Sequence, residues 1–459
     1  MIHTEKHSDT VSTRQKGVLL LLYSLLVALR DPWLLVHGRL WAEEGTVYLR
    51  SAWSSGVSAT LFSPHLGYYA LWPNFCSLLA AHVFPLQYAA LVDTWCSFFI
   101  QVFAGWLILQ CEAFSTIRIK SFALLVLLLA APSRQVWLNT VNSQFYLVVC
   151  AVIVFLSRTD RHQLQRNFTL ALAGLTGPVT TFLTPFFLLR ALFAKTRSAY
   201  LQAAVLTTCA CTQILVIRES LHAGVRHINF QPSGIAPEYL VEYIVMPFFG
   251  RTSKKLALSV VLNQMGAYVS TAQTSLGHFK TLVMSYHLPL TWPFLLLWAI
   301  VDIAFLALLL WSTYDHSDRS SWWLLIMSIW LALFSIYGAV GGTYAVGERY
   351  VFPSVVLMGL ALLLAAARTT AVHSRKLVAA CLLGCFLLAG AFDYFSYPQW
   401  VGWEKPAGPS WSKQVQMWQQ DPSRKLFVWP PEFHGDFTLP PDHGQTKTIH
   451  GSTIHPGAQ

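Results

Sequence analysis

Apolar stretches succeed one another through most of this chain, at roughly 17–36, 66–85, 88–111, 121–138, 142–157, 168–189, 199–217, 289–311, 321–340, 350–367 and 376–393. Most approach the ~20 residues that a helix needs to cross about 30 Å of hydrocarbon. Inside a bilayer the backbone N–H and C=O groups find no water, so spanning segments must be helices or closed barrels. A barrel would show alternating segments of about ten residues, and this pattern is not seen. The expected fold is therefore all-α, a polytopic transmembrane helical bundle of about eleven membrane segments over 17–393.

Charge supports the same reading. Charged residues make up 11% of the 459 and hydrophobic residues 54%, where soluble chains carry about 25% charge. The formal net charge of +10 comes from short clusters between apolar stretches, such as Arg14/Lys16, Arg118/Lys120 and Arg375/Lys376. That placement orients a chain in a bilayer; a nucleic-acid partner would require a basic face on a soluble domain. All eight cysteines fall in or at the ends of apolar segments, so no disulfide framework is visible. The run Gly17 to Leu29 lacks a small-x-small cleavage site and reads as an uncleaved anchor. The basic tail, 1–16, is expected in the cytoplasm. The loops 37–65 and 218–288 and the tail 394–459 are then outside a cytoplasmic (inner) membrane. Parity holds with eleven crossings, or with 66–85 and 168–189 interrupted; Gly174-Leu175-Thr176-Gly177-Pro178 favours the interrupted form. Two amphipathic stretches, Glu238 to Phe249 and Leu256 to Val269, are expected in the interface. The Trp/Pro-rich tail is expected to form a small outer lid, disordered beyond about Pro440.

Five places carry polar chemistry. Trp41-Ala42-Glu43-Glu44-Gly45 follows the first apolar stretch, with Asp31 upstream. One carboxylate could deprotonate a hydroxyl while its neighbour orients an acceptor or holds a divalent cation; the plainer alternative is a solvated turn partnered by Arg39 or Arg50. His65, in the turn Ser63-Pro64-His65-Leu66-Gly67-Tyr68, could donate to a phosphate or sugar, or simply sit at headgroup level. Asn139-Thr140-Val141-Asn142-Ser143-Gln144-Phe145 sets amides beside aromatic rings, a combination suited to carbohydrate hydroxyls, or to capping two helix ends. Arg349, beyond a glycine-rich run, can hold phosphate oxygens bidentately, or pair with Glu348. Asp302 lies mid-membrane, where an ionised carboxylate is costly.

Taken in order, Arg30-Asp31-Pro32, Trp41-Ala42-Glu43-Glu44-Gly45, Gly67-Tyr68, Asn142-Ser143-Gln144-Phe145, Thr176-Gly177-Pro178 and Arg349-Tyr350 resemble the GT-C superfamily. These are integral-membrane glycosyltransferases that use polyprenyl-phosphate sugars. The likeness is to a bacterial branch whose first-loop motif more often reads Ala-Glu-Asp-Gly; the second acid here is Glu44, whose extra methylene moves the carboxylate by about an ångström, a distance that matters in catalysis. The resemblance implies a catalytic set of Glu44, Glu43 and Asp31 and a substrate-binding set of His65, Tyr68, Asn142, Gln144, Arg349 and Tyr350. It implies a polyprenyl-phosphate sugar as donor and a cell-surface glycan, lipid-linked saccharide or protein as acceptor. Two alternatives stay open: a carrier or flippase for lipid-linked saccharides, working through Asp302, and a surface-polysaccharide polymerase or ligase.

Overall fold

The computed structural model describes residues 11–157, 162–225, 239–264, 292–314, 319–340, 348–367, 372–395, 409–429 and 436–441. The first half contains α1 (Thr13–Arg30), α2 (Pro32–His37), α3 (Arg50–Ser54), α4 (Val57–Phe62), α5 (Leu71–Leu78), α6 (Ala89–Gln110), α7 (Ile117–Leu129), α8 (Ser143–Leu156), α9 (Gln163–Leu175), α10 (Thr184–Ala194) and α11 (Arg197–His222). The second half contains α12 (Met246–Gln264), α13 (Trp292–Thr313), α14 (Ser320–Val340), α15 (Phe352–Ala367), α16 (His373–Phe395) and α17 (Trp411–Gln420). Among the described residues the fold is all-α apart from one short strand pair.

Among the described residues, four helices are long and apolar enough to cross a bilayer: Leu86–Gln110, Arg197–His222, Ser320–Tyr337 and His373–Phe395. Several other apolar stretches form shorter helices. α8 has 14 residues and α15 has 16, a rise of roughly 21–24 Å. Their continuous hydrophobicity is explained by position. Every residue of α8 is buried, and so is α15 from Phe352 to Ala365. A helix that is apolar all round belongs in the centre of a bundle. The perimeter exposes Leu21, Leu25, Phe99, Phe193, Ile214, Ile303 and Phe392, an apolar surface suited to lipid.

The segment 168–189 is interrupted. α9 stops at Leu175, a 3-10 turn spans Val179–Leu183, and α10 starts afresh at Thr184. The stretch 66–85 is interrupted too: α5 passes into a wide turn over Leu79–Val83. The two interrupted segments meet, through a bridge between Ala70 and Thr176 and a hydrogen bond from Trp72 N–H to Thr176 Oγ1 (3.3 Å).

One expectation is overturned. Residues 239–245 do not lie on an interface; Tyr239, Leu240, Tyr243 and Ile244 are buried and pack on α12, α13 and α14. The Tyr243 hydroxyl meets Ser328 Oγ at 2.6 Å, and Phe248 packs against Phe305 and Phe386. The single acid of that turn, Glu242, is neutralised inside the bundle by Lys254 at 2.8 Å. Without that internal partner a polar face would have had to meet water. Most of 256–269 lies outside the residues whose side chains are described.

The tail packs onto the first acidic loop. Trp429 N–H donates to Leu40 O (2.8 Å) and Ala42 N–H to Trp429 O (2.6 Å). Trp411 Nε1 donates to Leu86 O (2.8 Å), and Arg39 lies between the rings of Trp33 and Trp429. A ten-residue helix and a two-stranded ribbon have little stability alone, so this packing is what orders them. The disorder expected beyond Pro440 falls almost wholly outside the described residues. Gly45 is the tightest point of the contact: a Cβ there would stand 2.2 Å from Val428 Cγ1 and 3.0 Å from Phe437. Gly45→Ala is expected to loosen the tail at a cost of about 1–3 kcal/mol, seen as faster proteolysis near 409–429, and Val428→Ala in the same chain should restore resistance. Unchanged proteolysis in Gly45→Ala would show that the tail is not held there.

Candidate active site at the acidic loop

The two adjacent acids have different surroundings. Glu44 is fully buried. Its Oε2 accepts from Trp41 N–H at 2.6 Å, and its Oε1 accepts from Thr140 Oγ1 at 2.7 Å and from the Thr140 N–H. Both oxygens are therefore occupied by donors, one set local and one from the connector before α8, 96 residues away. Burial pushes the Glu44 carboxyl up to about 7, against the pull of the Thr140 and Trp41 hydrogen bonds. Glu44 is a clasp between the first loop and that connector.

Glu43, one position earlier, is half-buried. Its Oε2 is shielded from solvent and has no hydrogen-bond partner among the described residues. Tyr48, Tyr68 and Arg349 all feel its charge. Tyr68 is also in the field of Tyr350 and Arg349. The Arg349 guanidinium stands 5.2 Å from the Tyr350 ring centroid, and Tyr350 packs edge-on against Phe145. His65 completes this side. It exchanges backbone bonds with Tyr68 (3.0 and 3.1 Å) and meets the Tyr48 ring edge-on at 5.0 Å. Burial lowers the His65 pKa, so its imidazole is neutral to lower pH than usual.

Glu43, His65, Tyr68, Gln144, Arg349 and Tyr350 thus come together from four separate parts of the chain. Three sequence candidates stand apart. Asp31 is buried and caps α2 through its Oδ1, which accepts from Leu34 N–H at 3.1 Å. The Asn142 amide donates to Gln135 O at 2.7 Å and its N–H bonds to Asn139 Oδ1 at 2.9 Å, so it closes its own turn. Asp302 is also separate: it is buried in α13, and its Oδ1 has no hydrogen-bond partner among the described residues. Among the described residues no three His, Cys, Asp or Glu side chains converge as metal ligands.

Sequence reasoning missed the charge network behind Arg349. Glu348 does not pair with its neighbour Arg349. It is held by Arg251 (2.6 Å) and Lys254 (2.8 Å). Burial would raise the Glu348 carboxyl, but Lys254 and Arg251 outweigh it and hold it at about 2. Asp393, near the end of α16, receives Arg134 and Arg251 at 3.2 Å each and Arg30 at 3.7 Å. The available signal was Asp393 itself, an acid in an otherwise apolar helix.

No protein family, curated protein or solved structure matches this chain.

Burial of Glu44, which outweighs the hydrogen bonds of the clasp, makes stability depend on pH in a definite direction. Folding raises the Glu44 carboxyl from its ordinary 4.5 to about 7, so the native state keeps this proton to higher pH than the unfolded chain does. The contribution is present at low pH and is lost as pH rises through about 7, at up to about 1.4 kcal/mol per pH unit. Thermal unfolding of the protein in nanodiscs, from about pH 5 to about pH 8, is expected to show this fall. Glu44→Gln should flatten it and lower stability by about 1–3 kcal/mol, because an amide cannot accept from all three donors. Equal slopes in the two proteins would show that Glu44 is not the buried group that sets this dependence.

Proposed function

We propose that the chain is a membrane glycosyltransferase of the GT-C type, moving a sugar from a polyprenyl-phosphate donor to a hydroxyl of a surface glycan, lipid-linked saccharide or protein. The observation that carries this reading is the pairing of roles at the acidic loop: a carboxylate oxygen on Glu43, buried and without a hydrogen-bond partner among the described residues, in the electrostatic field of Arg349. Glu43 takes the proton of the acceptor hydroxyl as its oxygen attacks the anomeric carbon. The bond from that carbon to the phosphate oxygen breaks, and its electron pair leaves with the lipid phosphate. Arg349 stabilises that departing charge, with the Tyr68 hydroxyl as a second donor. A single displacement of this kind inverts the anomeric carbon. Gln144 and the Tyr350 ring offer the amide and flat apolar face that sugar rings bind. Glu44 has no part in the proton transfer, since its oxygens are already occupied.

The reading sets the acidic loop and the docked tail at the outer face of a cytoplasmic membrane, with the N-terminus inside. One observation favours the carrier alternative: Asp302, buried in α13 with an oxygen lacking a hydrogen-bond partner among the described residues.

Mass spectrometry of surface glycans and lipid-linked sugars separates the two. Cells lacking the chain, and cells expressing Glu43→Gln at matched level, are expected to lose one hexose-type increment, with transfer reduced about 100-fold or more in the variant. Asp302→Asn should retain it. Retention in Glu43→Gln with loss in Asp302→Asn would replace the transferase with the carrier.

A further inference from the structure

Glu348 and Arg349 are consecutive in a 3-10 turn, Glu348–Tyr350, so their side chains leave the turn about 120° apart. Arg349 is in the field of Glu43 and Tyr68. Glu348 faces the other way and is gripped from α12. Arg251 bonds it bidentately, Nη1 to Oε1 at 2.6 Å and Nη2 to Oε2 at 2.9 Å, while Lys254 Nζ reaches Oε1 at 2.8 Å. A planar fork on a carboxylate fixes direction as well as distance.

The grip is built into the backbone of α12. The helix is kinked at Gly250, with φ +78° and ψ −179°, a conformation that side-chain-bearing residues rarely adopt. Beyond the kink, Arg251 and Lys254 are three residues apart and share one helical face. Both are themselves anchored: Lys254 to Glu242 at 2.8 Å and Arg251 Nε to Asp393 at 3.2 Å. Asp393 in turn meets Arg134, whose 3-10 turn, Arg134–Val136, packs on the Glu348–Tyr350 turn. Buried ion pairs of this kind add little net stability, because desolvation offsets their attraction. Their geometric effect is larger: they leave the 348–350 turn one orientation.

We infer that Arg251 and Lys254 are positioning residues for Arg349, holding Glu348 and with it the turn that aims the Arg349 guanidinium at the Glu43 side of the site. The catalytic consequence rests on the transferase reading; the geometric one does not.

Hydrogen–deuterium exchange and steady-state kinetics on the full chain in nanodiscs test the two parts separately. Arg251→Gln and Lys254→Gln are compared with wild type and with Arg251→Lys, each first checked for monodispersity. Backbone amides of 348–355 are expected to exchange at least about tenfold faster in Arg251→Gln. The KM for the lipid-phosphate sugar should rise about tenfold with acceptor KM changed less than about twofold. Arg251→Lys should fall between wild type and Arg251→Gln, keeping the charge but losing the fork, and Lys254→Gln gives a milder readout should Arg251→Gln fail to fold. Unchanged exchange in 348–355 overturns the inference, and so does faster exchange with unchanged donor KM. Absence of transfer in wild type would instead remove the transferase reading, and exchange alone would then decide whether the clamp exists.

Discussion

The Glu44 carboxylate is the interaction on which the rest of the site depends. It is fully buried, and burying a charge is costly unless donors surround it. Three donors do: the Trp41 N–H on its own loop and the N–H and hydroxyl of Thr140 on the connector before α8. The residue therefore joins two segments far apart in sequence. Glu43 is fixed by consequence. With Glu44 turned inward and the tail closing over Leu40 and Ala42, the Glu43 charge acts on Tyr48, Tyr68 and Arg349. Two adjacent acids thus divide the work, one tying the backbone and one left available.

Opposite this loop stands a second constraint, the ion-pair chain from Glu242 through Lys254, Glu348, Arg251 and Asp393 to Arg134 and Arg30. It joins α1, α12 and α16 to the short turns at 134–136 and 348–350. Buried polar groups persist where they pair with one another, and this network does so next to Arg349 in the chain. The bundle around it is plain packing: α8 and α15 fill the centre, and aliphatic and aromatic residues cover the outside.

Much of this was legible in the residues. Apolar length predicted an all-α membrane bundle, and the run from Gly174 to Pro178 predicted the interruption that ends α9. Hydropathy could not tell a spanning helix from a central one such as α8, because both are continuously apolar; only burial on every side separates them. The local role of Asp31 was readable: an Asp directly before Pro32 is an N-cap signal, and its Oδ1 accepts from Leu34 N–H. The roles of Glu43 and Glu44 could not be read from sequence, since the difference lies in Thr140. The same holds for Asn142, whose amide closes its own turn on Gln135. The network behind Arg349 was hidden because its members come from five separate segments, and pairing between segments leaves no local pattern.

The central claim is that Glu43 is the available carboxylate and Glu44 the occupied one. Carboxyl-selective labelling of the wild-type protein in nanodiscs, mapped by mass spectrometry, tests it directly. Modification is expected at Glu43, with protection of Glu43 by a polyprenyl-phosphate sugar, and none at Glu44. Labelling of Glu44 in the folded protein, or labelling of Glu43 that the lipid-phosphate sugar does not alter, would contradict it.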